Sequence, residues 1–287
     1  GANHTIAVTE NDEVWAWGAG AGDSNIFYKI FLGSVGALGQ SNNSNRGVPT
    51  LIPTLKGKGP FKQVSAGYQS SFALTEKGDL YHWGKSKYGA LGDGNFEDVS
   101  TPVLNGHFAE LKSHDHVHIV KLRSCAYYNV AQLSNGKLIS WGADYYGQTG
   151  LGRDINTEFV EEAAVPNEIV DTEYHGKKVV DFQLSEDCLM ILTEDNQIYY
   201  CGMRKYGTPH RFETDNKLKV KKIAAGMNSF AILTDKNEIL SQFGFAPSSR
   251  FDKERKLEVG DTHTFGNGEI VDFGGSYKTR YAIVRNQ

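Results

Sequence analysis

The chain of 287 residues is poor in cysteine, in proline and in long apolar runs. Its three cysteines are an odd number, which excludes the paired disulfide framework of a small secreted protein and favours a reducing compartment. Seven prolines exclude a collagen-like or proline-rich disordered chain. The longest apolar run, 26–38, contains Lys29 and is too short to cross a bilayer, so we expect no transmembrane segment.

The charge balance and the first residues limit the partners and the compartment that can be predicted. There are 30 basic and 34 acidic residues, a net charge of −4, and a nucleic-acid surface usually gives a basic excess. We therefore expect no nucleic-acid partner. The chain begins at Gly1 without methionine, which suggests a fragment of something longer, so missing targeting signals carry little weight. We expect an intracellular protein; cytosol, cytoskeleton or cilium, and mitochondrion are not distinguishable.

An internal repeat is the strongest signal in the chain. Five segments align and end in an aromatic residue or cysteine followed by glycine, and a sixth begins near Gly275 and stops. The five complete segments are 1–18, 67–84, 125–142, 185–202 and 226–244. Spacings of roughly 40 to 65 residues are typical of an array of small structural units.

Each repeat has the pattern of a β-hairpin. A short apolar run such as Phe72-Ala73-Leu74 predicts a buried strand, a polar turn follows, and a second strand leads to the Trp-Gly pair. The same turn position carries a residue type that tolerates positive φ, as tight hairpins require. These residues are Asp12, Gly78, Gly136, Asn196 and Asn237.

A further strand is predicted ahead of most hairpins. The runs are 61–64, 118–121, 178–181, 220–223 and 269–272. About four short strands per unit without helical periodicity predict a blade, and such blades close radially into a β-propeller. The sequence therefore predicts an all-β propeller of five complete units plus a partial sixth, with 1–287 as one domain.

The motifs resemble the regulator of chromosome condensation repeat, a family of seven-bladed propellers. A small-small-glycine element occurs at 65–67 and 224–226, and Gly1-Ala2-Asn3-His4 carries its histidine. Trp-Gly followed by a glycine-rich turn occurs at 83–92 and 141–152. The resemblance covers essentially the whole chain. It implies the propeller fold and, as one activity of the family, guanine-nucleotide exchange on a Ran-type small GTPase at chromatin.

Departures from the repeat bear on function and on blade number. The histidine is replaced in the other four segments, by Ser70, Tyr128, Cys188 and Ser229, so the exchange activity cannot be assumed. Five units and part of a sixth also fall short of seven. Either flanking sequence is absent or the ring is smaller or open, and we favour absent flanking sequence.

The segment His114-Asp115-His116-Val117-His118 is the sharpest local feature. On an extended strand, residues two apart share a face, so the three imidazoles are candidate ligands for one metal ion. The segment precedes a strand entry, where a polar loop is expected. We therefore favour a solvated, pH-sensitive edge, and expect neither a metal nor a cofactor.

Cys188 and Cys201 flank the fourth hairpin about its turn and are candidates to face each other. A disulfide between them is conceivable, but cross-strand bridges are usually strained. Two packed thiols are the favoured interpretation.

An insertion in the first unit is the leading candidate for binding. It places 17 residues between Trp17-Gly18 and Gly36, and an exposed aromatic loop of this kind marks a docking site. Its candidate residues are Phe27, Tyr28, Ile30, Phe31 and Leu32. The alternatives are packing of the loop over the propeller's own face, and membrane contact.

These observations together predict a non-catalytic protein-interaction or scaffold propeller. The chain has no Gly-x-Ser-x-Gly elbow, Walker loop or Cys-x-x-Cys pair, so we expect no enzyme. We expect protein partners in a multi-subunit complex, with an organellar or cytoskeletal accessory subunit as one version. The alternative is the exchange factor, which needs no side-chain nucleophile and is therefore not excluded by missing catalytic motifs.

Overall fold

The computed structural model describes most of the chain in two compact units. The described residues are 1–20, 36–154, 162–170, 173–174, 176–212, 218–226, 229–243, 258–259, 269–275 and 280–285. The first unit comprises 1–145 and 157–169, and the second comprises 146–156 and 170–287. The single-domain assignment stays a prediction.

The first unit contains three antiparallel sheets and one helix among its described residues. The first sheet is β1 (His4–Val8), β2 (Val14–Gly18) and β3 (Arg46–Leu51). The second is β4 (Phe61–Ala66), β5 (Ser70–Thr75), β6 (Leu80–Gly84) and β7 (Val99–Leu104). The third is β8 (Ile119–Cys125), β9 (Tyr128–Leu133), β10 (Leu138–Ala143) and β11 (Glu162–Glu168), and helix α1 (Gly106–Asp115) lies between the last two sheets in sequence. Short 3-10 turns occur at Pro53–Leu55 and Lys87–Gly89.

The second unit contains three further sheets. One is β12 (Val179–Leu184), β13 (Cys188–Thr193), β14 (Ile198–Gly202) and β15 (Tyr206–Arg211). The next is β16 (Val220–Gly226), β17 (Ser229–Thr234), β18 (Ile239–Phe243) and β19 (Glu258–Val259). The last is the pair β20 (Glu269–Gly275) and β21 (Arg280–Arg285).

The structure has an antiparallel hairpin at each of the five predicted segments. They are β1–β2, β5–β6, β9–β10, β13–β14 and β17–β18. All five predicted turn residues have positive φ, from 60° at Asp12 to 88° at Gly136. The strand predicted ahead of the hairpins is also present, as β4, β8, β12, β16 and β20. The number of complete repeats stays a prediction, because the first described sheet has three strands and the last has two.

The region 94–117 contains regular secondary structure. It contains strand β7 and helix α1. The helix begins because the Asn105 side chain accepts a hydrogen bond from the Phe108 amide at 3.3 Å, a standard N-cap. Phe108 alone among the helix residues is buried, with its ring centroid 5.5 Å from that of Trp141. One buried contact leaves no helical periodicity in the sequence, which is why the pattern did not reveal it.

The Trp-Gly positions of the first unit join successive sheets through a shared carbonyl. Trp83 Nε1 and Ser71 Oγ both donate to the Ala37 carbonyl, at 2.9 and 2.8 Å. Trp141 Nε1 and Asn129 Nδ2 repeat this on the Ala90 carbonyl, at 3.1 and 2.8 Å. We call each set an indole clamp: a tryptophan, the donor opposite it across the hairpin, and the carbonyl that both contact. The carbonyl lies in the glycine-rich turn, so the clamp explains why the two motifs recur together.

Candidate functional site

The leading sequence candidates lie outside the described residues. Phe27, Tyr28, Ile30, Phe31 and Leu32 belong to the undescribed stretch 21–35, so their role as a docking loop stays a prediction.

The three candidate histidines occupy different kinds of backbone. His114 is in the last turn of α1, and His116 is its C-cap residue with a left-handed φ of 57°. The His118 amide donates to Ser134 Oγ at 3.2 Å. The extended strand on which the metal alternative depended is not present, because the helix continues to Asp115. Among the described residues there is no group of three or more His, Cys, Asp or Glu side chains that could hold a metal ion.

Cys188 and Cys201 are both buried and carry free thiols. They lie on neighbouring strands with an offset of one residue, because Cys188 is opposite Gly202 and Cys201 is opposite Leu189. They therefore point to opposite faces of the sheet rather than toward each other. Burial raises the pKa of the Cys188 thiol well above its usual value, which leaves it unreactive.

A buried histidine and a carboxylate lie close together in the first unit. His82 Nε2 is 3.3 Å from Asp93 Oδ2, and the His82 side chain is only 2% exposed. Asp93 in turn accepts hydrogen bonds from the Asn95 amide and side chain, at 3.3 and 3.2 Å. An imidazole so enclosed offers no access to a substrate, so we assign the pair to anchoring the loop after Gly92.

The first unit instead presents a cluster of aromatic side chains that the sequence analysis did not identify. Tyr68 follows the end of β4, and Tyr127 lies between β8 and β9. Tyr88 lies in the loop after β6, and Tyr145 lies just after β10. With Lys87, which precedes Tyr88, we call these residues the tyrosine surface. Strand ends of two neighbouring sheets thus place all five side chains together.

Ring contacts hold the tyrosine surface in one arrangement. The rings of Tyr68 and Tyr127 stack, with centroids 5.2 Å apart. Tyr88 packs edge-on against Tyr127 at 5.4 Å and against Tyr145 at 5.2 Å. The backbone supports the stack, because the Tyr68 amide donates to the Ala126 carbonyl at 2.6 Å. These contacts reduce the side-chain entropy that ordering would otherwise cost on binding.

The electrostatics of the surface combine one cation with phenolic groups. Lys87 Nζ lies 4.6 Å from the Tyr88 ring centroid and 5.3 Å from that of Tyr127, both within cation–π range. Burial, with a hydrogen bond to Tyr88, raises the pKa of Tyr145, so its hydroxyl stays protonated at neutral pH. Tyr68 is 38% exposed and Lys87 is also exposed. The surface therefore offers ring faces, hydroxyl groups and one positive charge to solvent.

A repeated signal in the sequence marked part of this surface. Tyrosine-glycine pairs occur at 88–89, 146–147 and 206–207, each beginning four residues after the glycine of a Trp-Gly or Cys-Gly pair, and the first of them contributes Tyr88 to the surface. The spacing identifies the position, but Tyr68 and Tyr127 belong to a different turn. Their proximity depends on how β4 and β8 pack, which the sequence pattern does not contain.

Comparison with known proteins identifies the repeat. A family model described as regulator of chromosome condensation (RCC1) repeat matches residues 32–74 and 77–131. A second model with the same description matches residues 1–22 and 61–90. The resemblance to the regulator of chromosome condensation repeat predicted from the sequence is confirmed over these residues.

Two curated relatives of this repeat protein have different names and lengths. The chain is 28% identical over 203 residues to the E3 ubiquitin-protein ligase HERC2 of Homo sapiens, covering 70% of the chain and 4% of that protein. It is 27% identical over 202 residues to the ultraviolet-B receptor UVR8 of Arabidopsis thaliana, covering 70% of the chain and 40% of that protein. The chain thus spans less than half the length of either.

The fold is shared with a solved propeller of the family. The crystal structure of Prp20p from Saccharomyces cerevisiae, described with its binding to Gsp1p and histones, matches with a TM-score of 0.77 and 19% identity. The match covers 100% of this chain and 67% of that one. The all-β propeller fold predicted from the sequence is therefore confirmed. In the part of the chain that is described, no helix is long and apolar enough to cross a membrane.

Proposed function

We propose that this repeat protein is a non-catalytic protein-interaction propeller and serves as a subunit or module of a larger assembly. The tyrosine surface carries the proposal. Tyrosine is enriched at protein interfaces because its ring buries a large apolar area while its hydroxyl keeps a hydrogen bond. Four rings already packed against each other offer a rigid anchor of the kind that dominates binding energy.

The insertion predicted from the sequence is a second, separate candidate for docking. Its residues Phe27, Tyr28, Ile30, Phe31 and Leu32 are an aromatic and aliphatic group at one end of the first repeat. Prp20p, described as binding Gsp1p and histones, supports a protein-binding role for the fold. HERC2 and UVR8 carry the names of a ligase and a receptor, and such variety among relatives favours an adaptable binding module over one conserved reaction.

Affinity purification of the native full-length protein, with mass spectrometry of what accompanies it, tests this proposal. The wild type is compared with a surface variant, Tyr68→Ala with Tyr88→Ala, and with a loop variant, Phe27→Ser with Tyr28→Ser and Phe31→Ser. We expect stoichiometric partners that one or both variants lose, with thermal unfolding nearly unchanged. Phe96→Ala is the matched control, because Phe96 is 55% exposed and lies outside the tyrosine surface.

Two outcomes would contradict the proposal. Partners retained equally by both variants would remove the proposed docking site. A small GTPase recovered preferentially without nucleotide, and released from its nucleotide faster in the presence of this protein, would instead establish the exchange-factor function.

A further inference from the structure

We infer that the tyrosine surface binds a partner segment that presents an acidic side chain, Asp or Glu, to Lys87, with an apolar or aromatic residue beside it. The inference rests on the proposed function and names the chemistry of the partner. It follows from the placement of the Lys87 ammonium, from the charges around it, and from the ring faces that remain open.

The ammonium of Lys87 is held in place before any partner arrives. It lies 4.6 Å from the Tyr88 ring centroid and 5.3 Å from that of Tyr127. An exposed lysine normally samples many rotamers, and fixing it on binding costs free energy. Two ring faces reduce that cost, so this lysine is better prepared to recognise an anion than a freely moving one.

The charge of Lys87 has no acidic partner within the described part of the chain. Among the described residues no carboxylate forms an ion pair with it, whereas the nearby Lys85 pairs with Asp98 at 3.8 Å. The carboxylate of Glu162 acts on the opposite member of the cluster, Tyr145, because its charge contributes to the raised pKa of that tyrosine. An acidic partner group is therefore attracted at the Lys87 end and repelled at the Tyr145 end, which orients the segment.

A basic partner group fits the surface poorly. Lys87 already occupies the ring faces of Tyr88 and Tyr127, so a second cation would have to displace it and would meet a like charge. A carboxylate can pair with the ammonium while the cation–π contacts remain. The exposed ring of Tyr68, stacked on Tyr127, then offers the adjacent apolar contact.

Selection from a random-sequence peptide library tests the chemistry without knowledge of the natural partner. The full chain is the bait, and a parallel selection uses the Tyr68→Ala, Tyr88→Ala variant. We expect peptides enriched on the wild type alone to carry Asp or Glu next to an aromatic or aliphatic residue. Enrichment of basic or uncharged peptides would overturn the inference but leave the docking surface standing. Selection of the same peptides by both baits, or of none by either, would overturn the docking surface itself.

Affinities of a selected acidic peptide then assign the charge to Lys87. We expect Lys87→Met to weaken binding about tenfold and Lys87→Glu to weaken it further, whereas Lys87→Arg stays within about threefold. Lys77→Glu makes the same charge change at an exposed hairpin turn and is the matched control. Equal affinity for Lys87→Glu and wild type, or tighter binding by Lys87→Met, would overturn the inference. Circular dichroism confirms that each variant is folded.

Discussion

At the residue scale, His4 shows what the repeat's histidine contributes to the fold. Its Nε2 lies 2.9 Å from Ser71 Oγ, and the Ser71 hydroxyl already donates to the Ala37 carbonyl. The imidazole therefore donates to Ser71 and extends the first indole clamp into the preceding hairpin. Burial lowers the pKa of His4 to about 3, so the side chain is neutral in the folded protein.

The lowered pKa predicts loss of stability in acid. An unfolded histidine takes up a proton near pH 6.5, whereas folded His4 does so only near pH 3. The stabilisation is complete above pH 6.5 and falls as the pH drops through this window, by up to about 1.4 kcal/mol per pH unit. The free energy of unfolding is measured for wild type and His4→Asn at pH 7 and at pH 4.5. We expect the difference between the two proteins to be smaller at pH 4.5. A difference that stays constant with pH would show that His4 titrates normally.

The same scale shows which residues the sequence could specify. Positive φ at Asp12, Asn196 and Asn237 followed from residue type, because a short polar side chain or glycine is what such turns accept. The tyrosine surface did not follow, because Tyr68 and Tyr127 are far apart in sequence and their stacking depends on the packing of two strands. The metal alternative for the histidine segment depended on strand geometry, whereas the structure has the end of a helix and its C-cap there.

At the element scale, the indole clamps weaken along the chain. In the fourth hairpin, Leu189 and Cys201 take the places of Asn129 and Trp141, as the strand registers show. Cys201 Sγ is 3.8 Å from the Gln148 carbonyl, a longer and weaker contact than an indole makes. The fourth hairpin therefore has one weak donor where the second and third hairpins each have two.

Removal of an indole donor should be costly in the first unit. Trp83→Phe leaves the buried Ala37 carbonyl with one donor fewer and a gap beside it, and we expect about 2 kcal/mol of destabilisation in urea unfolding. Trp15→Phe is the control, because Trp15 Nε1 contacts only the Glu13 side chain, at 3.3 Å. Equal effects of the two substitutions would contradict the clamp.

In each of the first four described sheets, the last strand along the chain contains one proline. They are Pro49, Pro102, Pro166 and Pro209, in β3, β7, β11 and β15. Three residues after each proline, an amide donates inward to the neighbouring strand, as Asn105 does to Leu80 at 2.8 Å. Alternation then directs the proline nitrogen to the side of the strand away from its sheet partner, so the proline removes an amide without loss of a hydrogen bond within the sheet.

We expect these prolines to prevent pairing of another chain with the strand rather than to raise the free energy of unfolding. Pro102→Val adds an amide on the side of β7 away from β6, beside the exposed Val103 and Leu104. We expect faster aggregation, measured by light scattering, and a free energy of unfolding that changes by less than about 1 kcal/mol. Pro53→Val, in the 3-10 turn after β3, is the control. Aggregation unchanged by Pro102→Val would remove this role.

At the scale of the whole molecule, the fold is that of a β-propeller, and the residues of the tyrosine surface lie in the loops at its strand ends. The repeat period, hairpins and inner strands were available from the sequence because they are local and recur. Helix α1 was not, because one buried side chain and an N-cap are enough to form it. The fold is common to proteins as different as HERC2, UVR8 and Prp20p, so function has to be argued from the surface.

Site-specific photo-crosslinking in cells tests whether the tyrosine surface contacts a partner. A benzoylphenylalanine residue is placed at position 68 in one protein and at position 96 in the control, since both native side chains are exposed. We expect position 68 to crosslink to a discrete partner, and we expect this product to be lost when Lys87 is changed to Glu. Position 96 should give no crosslink to the same partner. The same crosslinks from both positions, or none from position 68 while the protein remains in its assembly, would contradict a docking role for the tyrosine surface.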